Sequence, residues 1–167
     1  MRTGWKPQYV WVTVVLLHAG QTIYYYPRLP AVVAQHFDAA GRANGWAPRE
    51  FFFAFSWVIL LGMSALMMLT PRLLKRVPVS MINLPNKQYW LAPERKEESL
   101  TFLQRGSEWI GVLMAGFLVA VMHLAIRANV DPNHRLDNGL FLALLVGFIA
   151  AMLLWTLRVF VRFAKPA

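Results

Sequence analysis

Four histidines, His18, His36, His123 and His134, are the first residues to ask for chemistry. Imidazole carries protons near neutral pH and is the commonest metal ligand. No two of them stand two or four residues apart, the spacings that place a ligand pair on one strand or helix face, so no metal site is read. His18 and Gln21 are three residues apart inside an apolar run and share one helical face. They make either a ligand or proton site or an interhelical hydrogen-bonded pair, typically worth about 0.6 kcal/mol. With no acidic partner in any apolar run, packing is the favoured reading. His123, near the end of another run, could share a cavity with His18, and the two would be the first axial ligands for a haem or pigment. His36 and Asp38 form the best exposed acid–base pair. The competing reading, in which this stretch docks Phe37 onto the helices, is preferred.

Other chemistry is thinly represented. Cysteine is absent, which removes disulfides, thiolate metal sites and a cysteine nucleophile. Met63, Met67 and Met68 have no nearby His or Cys to make a soft-metal site and are read as adaptable packing. P-loop, HExxH, GxSxG and kinase signatures are all missing. Gly41-Arg42-Ala43-Asn44-Gly45 is a glycine turn without the strand–helix context of a phosphate cradle. The expectation is a non-enzymatic protein with no cofactor.

The elements that must position these residues are apolar. Hydrophobic residues make up 57% of the 167 positions, above ordinary soluble usage. Four runs approach the roughly 20 residues a bilayer-spanning helix needs, at about 9–26, 51–70, 109–126 and 140–157. The first is read as a retained helix, because it ends in Tyr24-Tyr25-Tyr26-Pro27 and not in a small-residue cleavage site. Gly116 with Ala120, and Gly147 with Ala151, offer close helix approach. Between the first two runs lies a polar, irregular loop, Pro27 to Glu50. Between the second and third lies a longer polar segment, in which Pro93 and Glu94 start a short helix that leads through Gly106 towards Trp109 and the third run. The fold class expected is therefore an all-α membrane protein, a single four-helix domain over 1–167.

The net charge of +9 would suggest nucleic acid in a soluble protein. Here the basic residues flank the apolar runs, which the positive-inside rule explains without nucleic acid. Twelve of the 17 Lys and Arg residues, among them Arg2, Arg72 and Lys75, fall on the side of the termini and the 71–108 segment. Both termini are thus expected in the cytoplasm, and the Pro27–Glu50 loop outside.

Two segments carry a resemblance. Gln35 to Trp46, QHFDAAGRANGW, resembles the HF-x4-G-x3-GW signature of the bacterial domain-of-unknown-function 1648 family, which follows a first membrane helix, as here. Ile82 to Glu98, INLPNKQYWLAPERKEE, is similar to a run found in a subset of those proteins. The family includes SdpI-type proteins, which carry further membrane helices, confer immunity to a secreted toxin and signal its presence by holding a repressor at the membrane. The resemblance implies a multi-pass protein of the bacterial inner membrane that acts through protein contacts. On that reading His36, Phe37, Asp38, Gly41, Gly45 and Trp46 meet a membrane protein or secreted peptide. Asn83, Pro85, Asn86, Tyr89, Trp90, Pro93, Glu94 and Arg95 meet a partner at the other face. Alternatives are a subunit of a larger membrane complex, in a homo- or hetero-oligomer, and a small transporter using His18, Gln21 and His123.

Overall fold

The computed structural model describes residues 6–73 and 76–165, with the side chains of 71 and 72 outside the description. Arg2 and Lys75, used above for orientation, lie outside these residues. The chain folds as α1 (Pro7–Tyr25), β1 (Val32–Phe37), β2 (Ala43–Pro48), α2 (Arg49–Leu73), α3 (Lys87–Trp90), α4 (Pro93–Val130) and α5 (Asn138–Ala164). Short 3-10 turns cover Tyr26–Arg28 and Val79–Met81.

Local chemistry sets several of these boundaries. Proline occupies the first turn of α1 and of α4, where its missing N–H costs no helical hydrogen bond. Asp137 caps α5 by accepting from the Leu140 N–H at 3.0 Å. The Asp131-Pro132-Asn133 turn forms as the sequence indicates, with Asp131 Oδ1 accepting from the Asn133 N–H.

α4 is the axis of the molecule, and α1, α2 and α5 all pack against it. Its 38 residues span roughly 57 Å at 1.5 Å per residue. A hydrocarbon core is about 30 Å thick, so α4 must project well beyond one. The helix starting at Pro93 is longer than the short helix expected from the sequence, and its course towards the third run is as expected. It runs unbroken through Gly106 into the third apolar run, and a helical glycine costs only about 1 kcal/mol.

Among the described residues three helices, α2, α4 and α5, are long and apolar enough to cross a membrane. Large apolar side chains on α5, including Leu142, Val146, Ile149 and Leu153, remain uncovered. That pattern suits lipid and would be costly in water. α1 is not among the three: its 19 residues include His18, Gln21, Thr13 and Thr22.

The 27–50 segment is not an irregular loop, and the molecule is not purely helical. β1 and β2 pair antiparallel, with Val32 opposite Pro48, Val33 opposite Ala47 and Ala34 opposite Trp46. The register then shifts, so that His36 faces Gly45 and Phe37 faces Ala43. Two clusters of buried apolar residues mark the ends of the bundle. Leu29, Val33, Phe52, Phe53 and Ile126 lie beneath the hairpin. Ile82, Leu84, Leu91, Leu100 and Phe163 gather the 82–91 segment around the end of α5. We refer to these as the hairpin end and the clamp end.

Candidate functional site

At the hairpin end, the hairpin is fastened from two directions. From below, Asn129 near the end of α4 accepts from the Ala34 N–H and donates to the Ala34 carbonyl, both at 2.7 Å. One side-chain amide thus replaces a strand neighbour for β1, whose outward backbone groups would otherwise be buried without partners. Asn129 also donates to Ala125 O at 2.9 Å, which fixes its orientation.

From the side, the hairpin tip binds the α4–α5 connection. Gly41 O accepts from the Leu136 N–H at 2.8 Å, and Asn138 donates to Ala39 O at 2.7 Å. Gly41 has φ +74, and a Cβ there would stand 2.6 Å from Leu136 O. Both the left-handed backbone and the close approach demand glycine. Gly45 makes room differently: a Cβ on it would meet His36 Cβ at 2.9 Å.

Asp38 organises the tip. Its Oδ1 accepts from the backbone N–H groups of Ala40 and Arg42, and its Oδ2 from Arg42 Nε at 3.1 Å. The Arg42 backbone N–H, followed by its side chain and the Ala40 N–H, holds the Asp38 carboxyl below its ordinary pKa. The carboxylate is thereby committed to the turn, so His36 and Asp38 do not form the acid–base pair that their spacing offered. His36 is exposed on β1, and Phe37 is half-buried. Trp46 meets the His134 ring edge-on at 5.2 Å yet stays 49% exposed, and Val32 is 54% exposed.

Deeper in the bundle, His18 is buried, with 1% of its surface exposed. Gln21 Nε2 donates to His18 Nδ1 at 2.8 Å, His18 Nε2 donates to Ser56 Oγ at 3.0 Å, and Ser56 donates to Phe53 O at 2.7 Å. Donor follows acceptor along the whole chain, which assigns the Nε2–H tautomer to His18. A second clasp, Trp11 Nε1 to Ser64 Oγ at 2.8 Å, ties the same two helices. His18 and Ser56 line one edge of an otherwise apolar cavity of about 170 Å3 between α2 and α4. His123 does not line it, and packs against Tyr25 with ring centroids 6.0 Å apart. The shared His18–His123 cavity anticipated from the sequence does not form. Among the described residues, no group of three or more His, Asp and Glu side chains could hold a metal ion.

At the clamp end, the 82–98 motif receives the C-terminus of α5. The last carbonyls of a helix lack intrahelical partners. Asn86 Nδ2 donates to Phe163 O at 3.1 Å and to Ala164 O at 2.8 Å, and Trp90 Nε1 donates to Phe163 O at 3.2 Å. Asn86 adopts a left-handed φ of 49, which asparagine tolerates better than most residues. The Phe163 ring is fully buried and meets Trp90 edge-on at 5.4 Å. Ser99 donates to Trp90 O at 2.9 Å, and the Arg95 guanidinium lies 4.1 Å over the Tyr89 ring. Asn83 and Pro85 flank Leu84, which enters the buried cluster, and Pro93 and Glu94 begin α4.

The sequence-predicted residues thus fall into three separated groups: the hairpin, the His18 chain and the clamp. Asn129, Ser56 and Phe163 escaped sequence reasoning. A lone Asn or Ser at the edge of an apolar run looks like a boundary residue. The one signal was that such residues must find partners inside a bundle.

Residues 13–62, which cover most of α1, the hairpin and the first half of α2, match the family model described as Domain of unknown function (DUF1648). This stretch of the chain is similar to the DUF1648 family. The matched stretch contains His18, Gln21, Ser56 and the whole hairpin. The clamp lies beyond it. No curated protein and no solved structure matches the chain.

Proposed function

We propose that this chain is a multi-pass protein of a bacterial cytoplasmic membrane that acts by protein contact and catalyses no reaction. Its role would be SdpI-like immunity or signalling. In this reading α1 is a fourth span whose polar side chains are shielded within the bundle by Ser56, Ser64 and Trp57. The distribution of Lys and Arg supports cytoplasmic termini and an outward hairpin.

One observation carries the proposal. The hairpin is held rigidly by Asn129 and the α4–α5 connection, yet it presents Val32, His36 and Trp46 uncovered. A preorganised surface with an aromatic anchor is what a contact site needs, because little ordering remains to be done on binding. The clamp motif differs, since Asn86 and Trp90 are already engaged with α5. It is accordingly an internal fastening in this proposal and not a second partner surface.

The test is protection. Expression in cells sensitive to a secreted peptide toxin should preserve growth, and Trp46→Ala should remove that protection at unchanged membrane abundance. Protection that survives Trp46→Ala and His36→Ala together would overturn the hairpin as the contact site. The uncovered face of α5 favours a second reading, in which a neighbouring subunit's helix covers Val146 and Leu153. A stoichiometric partner retained in mild detergent and lost with Val146→Trp would support it.

A further inference from the structure

At the clamp end, facing stripes of α4 and α5 enclose an open groove of about 710 Å3. Glu98, Phe102, Arg105 and Trp109 recur every three or four residues along α4, as do Trp155, Arg158 and Arg162 along α5. Each set therefore lies on one helical face. The floor is aromatic: Phe102 stacks on Trp155 with ring centroids 5.4 Å apart. Trp155 in turn rests directly on the backbone at Gly106, where a Cβ would come within 1.7 Å of the indole.

The charges of the groove are unbalanced. Arg162 donates to Glu98 at 2.6 Å and lies 4.4 Å over the Phe102 ring, so its charge is largely answered. Its Nε is buried and has no partner among the described residues. Arg105 and Arg158 line the same groove, both exposed, and among the described residues neither forms an ion pair. Glu97 is the one other carboxylate on the groove, leaving three arginines against two glutamates.

Depth decides what such a groove meets. Trp109 opens the apolar part of α4, and Trp155 closes that of α5. Tryptophans at these points mark the headgroup level. Two unpaired guanidiniums just beyond them stand where lipid phosphates are concentrated, and the planar fork of arginine matches a phosphate bidentately. Basic pockets between spans are recurrent headgroup sites.

We propose that this groove binds the phosphate of an anionic lipid headgroup. Arg105 and Arg158 are its ligands, and the faces of Trp109 and Trp155 receive the glycerol and first acyl carbons. The site is independent of whether the hairpin takes a partner.

The experiment uses the full chain in nanodiscs of phosphatidylcholine containing a minority of phosphatidylglycerol. Native mass spectrometry reads the lipid retained. The wild type is expected to enrich phosphatidylglycerol on the order of tenfold over its bulk share. R105Q/R158Q is expected to retain both lipids in bulk proportion while melting like the wild type in pure phosphatidylcholine. If the double variant does not fold, R105Q and R158Q are measured singly, each losing part of the enrichment. Equal retention by wild type and variants, or no enrichment in the wild type, overturns the site. A wild-type-specific rise in melting temperature with inorganic phosphate, without lipid enrichment, overturns the lipid as the source and assigns the same arginines to a soluble phosphate.

Discussion

The two ends of this bundle solve the same problem, fastening a polar segment over the ends of apolar helices, in different proportions of amide and ring contacts. The hairpin end uses backbone hydrogen bonds and single amides: Asn129 pairs with Ala34, and Asn138 and Leu136 hold the tip. The clamp end adds rings to its one amide, Asn86: Trp90 and Phe102 pack on Phe163, and Phe102 also meets Trp155 and the Arg162 guanidinium. An amide fastening consumes few side chains and leaves one face of the sheet open. A ring fastening consumes the motif that makes it. The difference teaches why the hairpin leaves side chains uncovered while the clamp does not: availability follows from how each is held.

The comparison breaks most visibly at Gly106. Gly106→Leu would drive a side chain into Trp155, and overpacking of this kind costs about 3 kcal/mol or more. Detergent melting should fall steeply and α5 should become protease-sensitive, while amide exchange in the hairpin stays slow. Simultaneous loosening of both ends would mean they are not separate fastenings.

Asn129→Ala should act next most strongly and at the opposite end. It strands the Ala34 N–H and C=O in a buried position, at roughly 1–3 kcal/mol per unsatisfied group. Hydrogen exchange at Ala34 should accelerate by orders of magnitude while the clamp stays protected. Asn86→Ala should cost less, about 1 kcal/mol, by freeing carbonyls that water can partly reach. Exchange confined to the last turn of α5 is the expected readout.

The smallest effect concerns pH. The Asp38 pKa is depressed by the Arg42 and Ala40 N–H groups and the Arg42 side chain. The stability it lends is therefore present above the ordinary carboxylate pKa, near 3.9, and is lost as pH falls through the lower folded value. Protection of the Ala40 and Arg42 amides should stay level from neutral pH to about 5 and decline in stronger acid, and Asp38→Asn should flatten the profile.

Much of this arrangement is written in the sequence where a single period dominates. The apolar runs of α2, α4 and α5 sit where a bilayer-length reading places them. The hairpin does not announce itself, because β2 (ANGWAP) contains a glycine and a proline, both poor strand residues. It forms because Asn129 and the buried Val33 and Ala34 hold β1 in place, and those contacts are made across 95 residues of chain. The Asp38-x-x-Gly41 turn was the local hint. The passage of the Pro93 helix through Gly106 towards the third run was legible, whereas the use of Gly106 as the seat of Trp155 was not. In the first run, the spacing of His18 and Gln21 correctly gave a shared face. Ser56, the acceptor completing their chain, comes from another helix and has no signature of its own.

The central claim is that the hairpin face is the working surface and the clamp is a joint. Site-specific photo-crosslinking in living cells tests it most directly, with the probe placed in turn at Trp46, at Gln88 on the clamp and at Leu153 on α5. The account predicts a discrete protein adduct from position 46 and none from position 88. An adduct from 88 with none from 46, or adducts from 153 alone, would contradict it.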